Sequence, residues 1–63
     1  MILRIVKDGK QVGEVDIVNG KPIFRGWATK VFRLPCQRLG RMETARILLN
    51  EGWSNGYLYL ARA

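Results

Sequence analysis

The sequence predicts an α+β domain built from a three-stranded antiparallel meander, one helix packed on one face of that sheet, and a C-terminal strand (β-β-β-α-β). Three observations favour this class. Residues 11–18 alternate apolar and polar side chains, Asn19-Gly20 follows them, and residues 41–51 repeat apolar side chains at helical spacing. The chain has 63 residues, of which 48% are hydrophobic. We therefore expect residues 1–63 to form a single small domain with a modest core.

The first two strands are predicted from composition and alternation. Residues 2–7 are rich in Ile, Leu and Val, and they end at the turn signature Lys7-Asp8-Gly9-Lys10. In residues 11–18, Val15 and Ile17 point to one side and Glu14 and Asp16 to the other, which is typical of a half-buried strand.

The register of the meander follows from its turns. Asn19-Gly20 is a strong hairpin signal, because both residues tolerate positive φ, and a third strand spans residues 21–27. The expected pairs are Val18 with Lys21, Val15 with Phe24, Glu14 with Arg25, Leu3 with Val15, and Ile5 with Gly13. A slip of one residue would set Leu3 against Glu14. One face therefore collects Leu3, Ile5, Val15, Ile17 and Phe24.

The second half of the chain is predicted to hold the helix and the last strand. Val31–Leu34 fits a short strand, and Pro35 either ends it or opens a helical turn. A helix is expected over residues 41–51, capped by Gly52, with one apolar side made of Met42, Ala45, Leu48 and Leu49. After the turn Ser54-Asn55-Gly56, residues 57–62 alternate as a strand; local patterns leave the order of the sheet open.

The positive charge is concentrated in the middle of the chain. The protein has 11 Lys and Arg residues against 5 Asp and Glu, a net charge of +6. Between residues 21 and 46 the only acid is Glu43, and the sum over this stretch equals the whole excess. Its cations are Lys21, Arg25, Lys30, Arg33, Arg38, Arg41 and Arg46. A basic stretch of this kind attracts polyanions by releasing their counterions.

This stretch predicts a nucleic-acid-binding surface. Arginine grips phosphate in bidentate fashion, and aromatic side chains between the cations can pack on sugars or bases. The expected phosphate contacts are Arg25, Lys30, Arg33, Arg38 and Arg41, and the expected aromatic contacts are Trp27, Tyr57 and Tyr59. The uncovered face of the sheet is expected to carry Arg4, Glu14, Asp16, Ile23, Arg25 and Trp27, joined by the two tyrosines if the strand order allows. The choice between DNA and RNA stays open.

The same residues are compatible with two further roles. The protein could be a binding accessory or inhibitor of the kind that phages and mobile elements encode, docking on an acidic protein, since Trp, Tyr and Arg are also enriched in protein interfaces. The charge could also serve solubility alone. A homodimer is compatible with either binding function, because it would enlarge an undersized core.

Catalysis and metal binding have few candidates. The chain has no His and one Cys, so the commonest general base, an internal disulfide and a zinc site are missing. Glu14 and Asp16 fit a solvated face best, and Cys36 between Arg33 and Arg38 is either an activated thiol or a small buried side chain. We expect a protein that is not an enzyme and needs no cofactor.

Its first residues also suggest where the protein works. Arg4, Lys7 and Asp8 interrupt any signal-peptide apolar region, and no apolar run reaches the roughly 18–20 residues of a membrane span. We therefore expect a cytoplasmic protein that does not bind membranes.

Overall fold

Four antiparallel strands and three helices make up the fold. The structure is a computed structural model, and it describes residues 1–62. In chain order the elements are β1 (Ile2–Lys7), β2 (Lys10–Val18), β3 (Lys21–Gly26), α1 (Ala28–Val31), α2 (Arg33–Leu39), α3 (Arg41–Glu51) and β4 (Tyr59–Arg62). The strands form one sheet in the order β3-β2-β1-β4. The predicted α+β class, with a meander, a covering helix and a last strand, is confirmed, and two short helices are added to it.

Both hairpins have the predicted registers. Val15 faces Leu3 on β1 and Phe24 on β3, and Glu14 faces Arg25. The two turns use Asp8-Gly9 and Asn19-Gly20, in which all four residues have φ between 51° and 77°. Because two successive positive φ values match the right-handed twist of the flanking strands, each turn sets its hairpin register locally.

The last strand pairs with β1, which therefore lies in the interior of the sheet. Val6 faces Tyr59 and Arg4 faces Ala61. The strand begins at Tyr59 rather than at Tyr57. The side-chain Oδ1 of Asn55 accepts hydrogen bonds from the backbone N–H of Tyr57 and of Leu58, at 3.0 and 2.9 Å, and holds these residues in a turn.

The hypothesis of a short strand over 31–34 is wrong, because this stretch belongs to α1 and α2. Pro35 lies in the first turn of α2, where a backbone N–H has no intrahelical acceptor, so proline costs the helix nothing there. Phe32 joins the two helices and is fully buried. Its ring lies 5.7 Å from that of Phe24 and 5.1 Å from that of Trp53. This aromatic packing holds the helical pair against the sheet.

Helix α3 has the predicted bounds and ends at Gly52, but its inward side differs in part. Thr44, Ala45 and Leu48 are buried, whereas Met42 is 61% exposed. Thr44 can replace an apolar residue because its hydroxyl donates a hydrogen bond of 2.8 Å to the carbonyl of Gly40. The core between helices and sheet comprises Leu3, Ile5, Val15, Ile17, Ala28, Phe32, Ala45, Leu48 and Leu58.

A close backbone contact positions the start of the helical layer. Gly13 on β2 faces Gly26 on β3, and a Cβ atom at Gly13 would lie 2.9 Å from the backbone nitrogens of Trp27 and Ala28. Real Cβ atoms do not approach backbone so closely, so only glycine allows α1 to cross over β2 at this point. This contact directs Trp27 and the helices that follow it to one side of the sheet.

Candidate nucleic-acid interface

The structure separates the predicted site residues into four locations. Arg25 and Tyr59 lie on the open sheet face, which we define as the face opposite the helices. Trp27, Lys30, Arg33 and Arg38 lie on and just before α1 and α2. Arg41 lies at the start of α3, and Tyr57 lies in the turn before β4. The predicted residues therefore do not form one continuous surface, and each location has its own electrostatic environment.

Arg25 is neutralised on the open sheet face. Its Nη1 donates a hydrogen bond of 2.7 Å to Oε2 of Glu14 and lies 4.0 Å from Oδ2 of Asp16. Arg4, on the next strand, faces Glu14 in the register. Exposed ion pairs of this kind add little stability, but they cancel charge locally. Two arginines and two carboxylates thus alternate on this face, as the predicted register implies, and Arg25 is not available as an unpaired cation.

The tyrosines lie far from Arg25 across the sheet. Tyr59 is on β4 and Arg25 on β3, at opposite edges of the sheet. Three inter-strand spacings separate these strands, or about 14 Å. Tyr57 is 81% exposed in the turn before β4. Neither tyrosine joins the cations of the predicted site into one cluster.

Arg41 has a structural contact. Its Nη2 donates a hydrogen bond of 2.7 Å to the carbonyl oxygen of Pro22, and it thereby ties the start of α3 to β3. Arg46, one turn further along α3, is ion-paired with Glu43. The hydrogen bond from the Arg46 guanidinium lowers the pKa of Glu43, and the same bond raises the pKa of Arg46.

The remaining predicted residues form what we call the helical basic surface: Trp27, Lys30, Arg33 and Arg38, together with Lys7. All three cations of α1 and α2 are exposed, and no carboxylate of residues 1–62 lies within ion-pair distance of them. Trp27 is 46% exposed and lines a shallow depression with Lys30. Trp27 and Lys30 thus lie together, and no ion pair within residues 1–62 offsets the charge of Lys30, Arg33 or Arg38.

Sequence reasoning missed Lys7. Its Nζ lies 5.1 Å from the centre of the Trp27 ring, in a cation–π contact. The alternation Leu3, Ile5, Lys7 along β1 was the available signal, since it places Lys7 on the helix side of the sheet. Its contact with Trp27 could not be predicted from alternation, because Trp27 reaches this position where the chain passes over β2 at Gly13.

Two exposed leucines lie beside the cations of α2. Leu34 is 64% exposed and Leu39 is 51% exposed, and none of the residues of α2 is buried. With Pro35 and Arg38, the leucines line a shallow and mostly apolar depression. The helix therefore presents both charge and apolar area to its surroundings.

Neither a metal-ligand cluster nor a membrane-spanning helix is found in the described part of the chain. Residues 1–62 contain no cluster of His, Cys, Asp and Glu side chains that could hold a metal ion, and Cys36 is a half-buried free thiol. No helix over this range combines the length and the apolar character needed to cross a bilayer. Comparisons with protein-family models, with curated proteins and with solved structures gave no match for this chain.

Proposed function

We propose that this protein is a non-enzymatic nucleic-acid-binding domain, and that it binds through the helical basic surface. One observation carries the proposal. Lys30, Arg33 and Arg38 lie close together in the chain on exposed helices without a carboxylate partner among the described residues, whereas Arg25 and Arg46 are ion-paired and Arg41 is bonded to the backbone.

Binding is expected to depend mainly on phosphates. On α2, Arg33 and Arg38 are both exposed, and they lie about 140° apart around the helix axis. Their guanidinium groups can grip phosphate oxygens in bidentate fashion, and Trp27 offers an aromatic surface to a sugar or base. Contacts of this kind position a nucleic acid but do not by themselves read its sequence.

The salt dependence of affinity tests the proposal. With three or four phosphate contacts, the log of the association constant should fall against the log of the salt concentration with a slope of about −3 to −4 for duplex DNA. Fluorescence anisotropy with a labelled duplex and with a labelled single strand measures this slope for both kinds of ligand. Absence of binding at low salt, or an affinity that does not change with salt, would refute the proposal.

A pair of charge-matched variants locates the surface. Arg33→Gln/Arg38→Gln and Arg4→Gln/Lys21→Gln each lower the net charge by two, but the second pair lies on the open sheet face. The Arg33/Arg38 variant should weaken binding about tenfold or more and make the slope shallower by about two units. The Arg4/Lys21 variant should change the affinity much less. Equal losses in both variants would mean that binding follows net charge alone.

A second candidate function is docking on an acidic protein. The observation that favours it is the exposure of Leu34 and Leu39 beside Arg38, because nucleic acid does not need such apolar side chains. Leu34→Ser/Leu39→Ser separates the two functions. Anisotropy with duplex DNA should be unchanged for this variant if nucleic acid is the ligand. A stoichiometric, nuclease-resistant complex that forms with the original chain and is lost in this variant would instead support the protein partner.

We also propose that the domain works in the cytoplasm. This location supplies nucleic acid and keeps a lone thiol such as Cys36 reduced. Fractionation of cells that express the tagged chain would check it, and recovery of the chain outside the cytoplasm would contradict it.

A further inference from the structure

The open sheet face carries apolar side chains that the proposed function does not use. By strand alternation, this face presents Ile2, Val18, Ile23 and Tyr59, with exposed fractions from 40% to 48%. Large apolar side chains gathered on one side of a small domain are typical of an interaction surface. The helices cover the other side, and no element of the described chain covers this one.

The charges on the open sheet face favour a partner with the same charges. Arg25, Glu14 and Arg4 lie in one row across three neighbouring strands, and Asp16 lies in the next row. The two arginines and two carboxylates balance in the middle of this face, and two further cationic groups, Lys21 and the amino terminus, lie at its rim. A polyanion would meet the two carboxylates here, and so would an acidic protein. Arginines and carboxylates that alternate in the middle of a face are instead complementary to the same arrangement on a second copy.

We propose that a second copy of this chain covers the open sheet face, with the two sheets stacked about a two-fold axis. Arg4 has no carboxylate partner among the described residues. Asp16 makes only two long contacts, at 3.9 Å to the amino terminus and at 4.0 Å to Arg25. A two-fold axis that passes midway between Arg4 and Asp16 places each Arg4 opposite the Asp16 of the other copy, so one symmetric contact forms twice.

The size of the face predicts a weak dimer. Four strands of about six residues present a flat area of about 19 by 20 Å. Stable interfaces bury about 800 Å² of accessible surface on each partner. The flat area of this face is smaller than that value. The apolar side chains therefore supply most of the attraction, and the two Arg4–Asp16 contacts determine which orientation is favoured. Dissociation in the micromolar range is the expected behaviour.

Sedimentation equilibrium on nuclease-treated protein, from low micromolar to millimolar concentration, tests the dimer without nucleic acid. The original chain should change from monomer to dimer over this range. Arg4→Asp should raise the dissociation constant about tenfold or more, because like charges then face each other twice. Arg4→Asp/Asp16→Arg should recover part of the loss by exchanging the two charges. Lys10→Asp changes the net charge by the same amount as Arg4→Asp, and it should leave the dissociation constant close to that of the original chain.

Two results of the sedimentation experiment would overturn the proposal. A monomer at millimolar concentration excludes the dimer, and a dimer that Arg4→Asp does not weaken must form through another surface, such as a strand edge. Should Arg4→Asp fail to fold, amide chemical shifts of the original chain on dilution give the same information. Shifts at Ile2, Ile23 and Tyr59 support the interface, and shifts confined to the helices contradict it. Because nucleic acid is absent, these results do not depend on the proposed function.

Discussion

The open sheet face and the helical basic surface both carry arginines, but only the arginines of the sheet face lie among carboxylates. On the sheet, Arg25 lies beside Glu14 because their strands pair in that register. On α1 and α2, Lys30, Arg33 and Arg38 have no carboxylate of residues 1–62 within ion-pair distance. The comparison teaches that the charge of a chain segment does not determine the charge of a surface. The acids that neutralise a cation can come from another strand, so the pairing of the strands decides which cations stay available.

The two surfaces would also act together if both inferences hold. Stacking the sheets of two copies leaves the helices on the outer sides, so the two helical basic surfaces face in opposite directions. Such a dimer would hold two nucleic acid segments rather than clamp one. This consequence needs both the proposed function and the dimer, and it fails if either fails.

The largest effect is expected on stability, from Gly13→Ala. The close contact at Gly13 directs the helices to one side of the sheet and so keeps the two surfaces apart. The new Cβ would lie 2.9 Å from the backbone of Trp27, Ala28 and Arg25. We expect a loss of about 2–4 kcal/mol in the free energy of unfolding, a large part of the stability of so small a domain. Thermal unfolding followed by circular dichroism measures it. Gln11→Ala, at an exposed position of the same strand, serves as the control, and equal melting temperatures of the two variants would show that the close contact is unimportant.

Removing the acids of the open sheet face should make the two surfaces alike. Glu14→Gln/Asp16→Asn raises the net charge by two and releases Arg25 from its ion pair. We expect duplex DNA to bind about tenfold more tightly at low salt, with a slope steeper by one to two units, because Arg4 and Arg25 become available to phosphates. Anisotropy titrations measure both quantities. An unchanged slope would show that ion pairing is not what keeps this face from binding nucleic acid.

Arg41→Ala tests whether that cation supports the fold rather than the ligand. The variant loses the hydrogen bond to the Pro22 carbonyl, which should reduce the free energy of unfolding by about 1 kcal/mol. At a temperature where the variant is folded, its affinity for duplex DNA should fall less than that of Arg33→Ala. A larger loss of affinity in Arg41→Ala than in Arg33→Ala would return Arg41 to the binding surface.

The smallest effect is expected on the pH dependence of stability, through the Glu43–Arg46 ion pair on α3. The hydrogen bond from Arg46 holds the pKa of Glu43 below its usual 4.5. A carboxyl group with a lowered pKa in the folded state stabilises the fold above its unfolded pKa, and this contribution is lost as the pH falls through the folded pKa. Both side chains are exposed, so the effect should be slight. Chemical denaturation at pH 7 and at pH 3 should show a smaller difference for Glu43→Gln than for the original chain.

Local sequence was sufficient for much of the fold. The alternation in β2, the two positive-φ turns and the spacing in α3 determined the meander, its registers and the bounds of the helix, because each depends on residues that are neighbours in the chain. Residues 28–40 were harder, since a buried Phe32 and an early Pro35 fit a strand end as well as a helix start. The packing of Phe32 between Phe24 and Trp53 stabilises the helical conformation there, and this contact depends on the tertiary structure.

The composition of the site was decided by tertiary structure. The sequence alone located the excess of cations between residues 21 and 46, and it included the three that stay without an ion pair on α1 and α2. Only the folded chain shows that Arg25 is neutralised, that Arg41 binds a backbone carbonyl, that Lys7 lies on Trp27, and that β4 places Tyr59 at the far edge of the sheet. Coulomb interactions and hydrogen bonds depend on distance through space, and a pattern along the chain specifies that distance only where the residues belong to one hairpin or one helix.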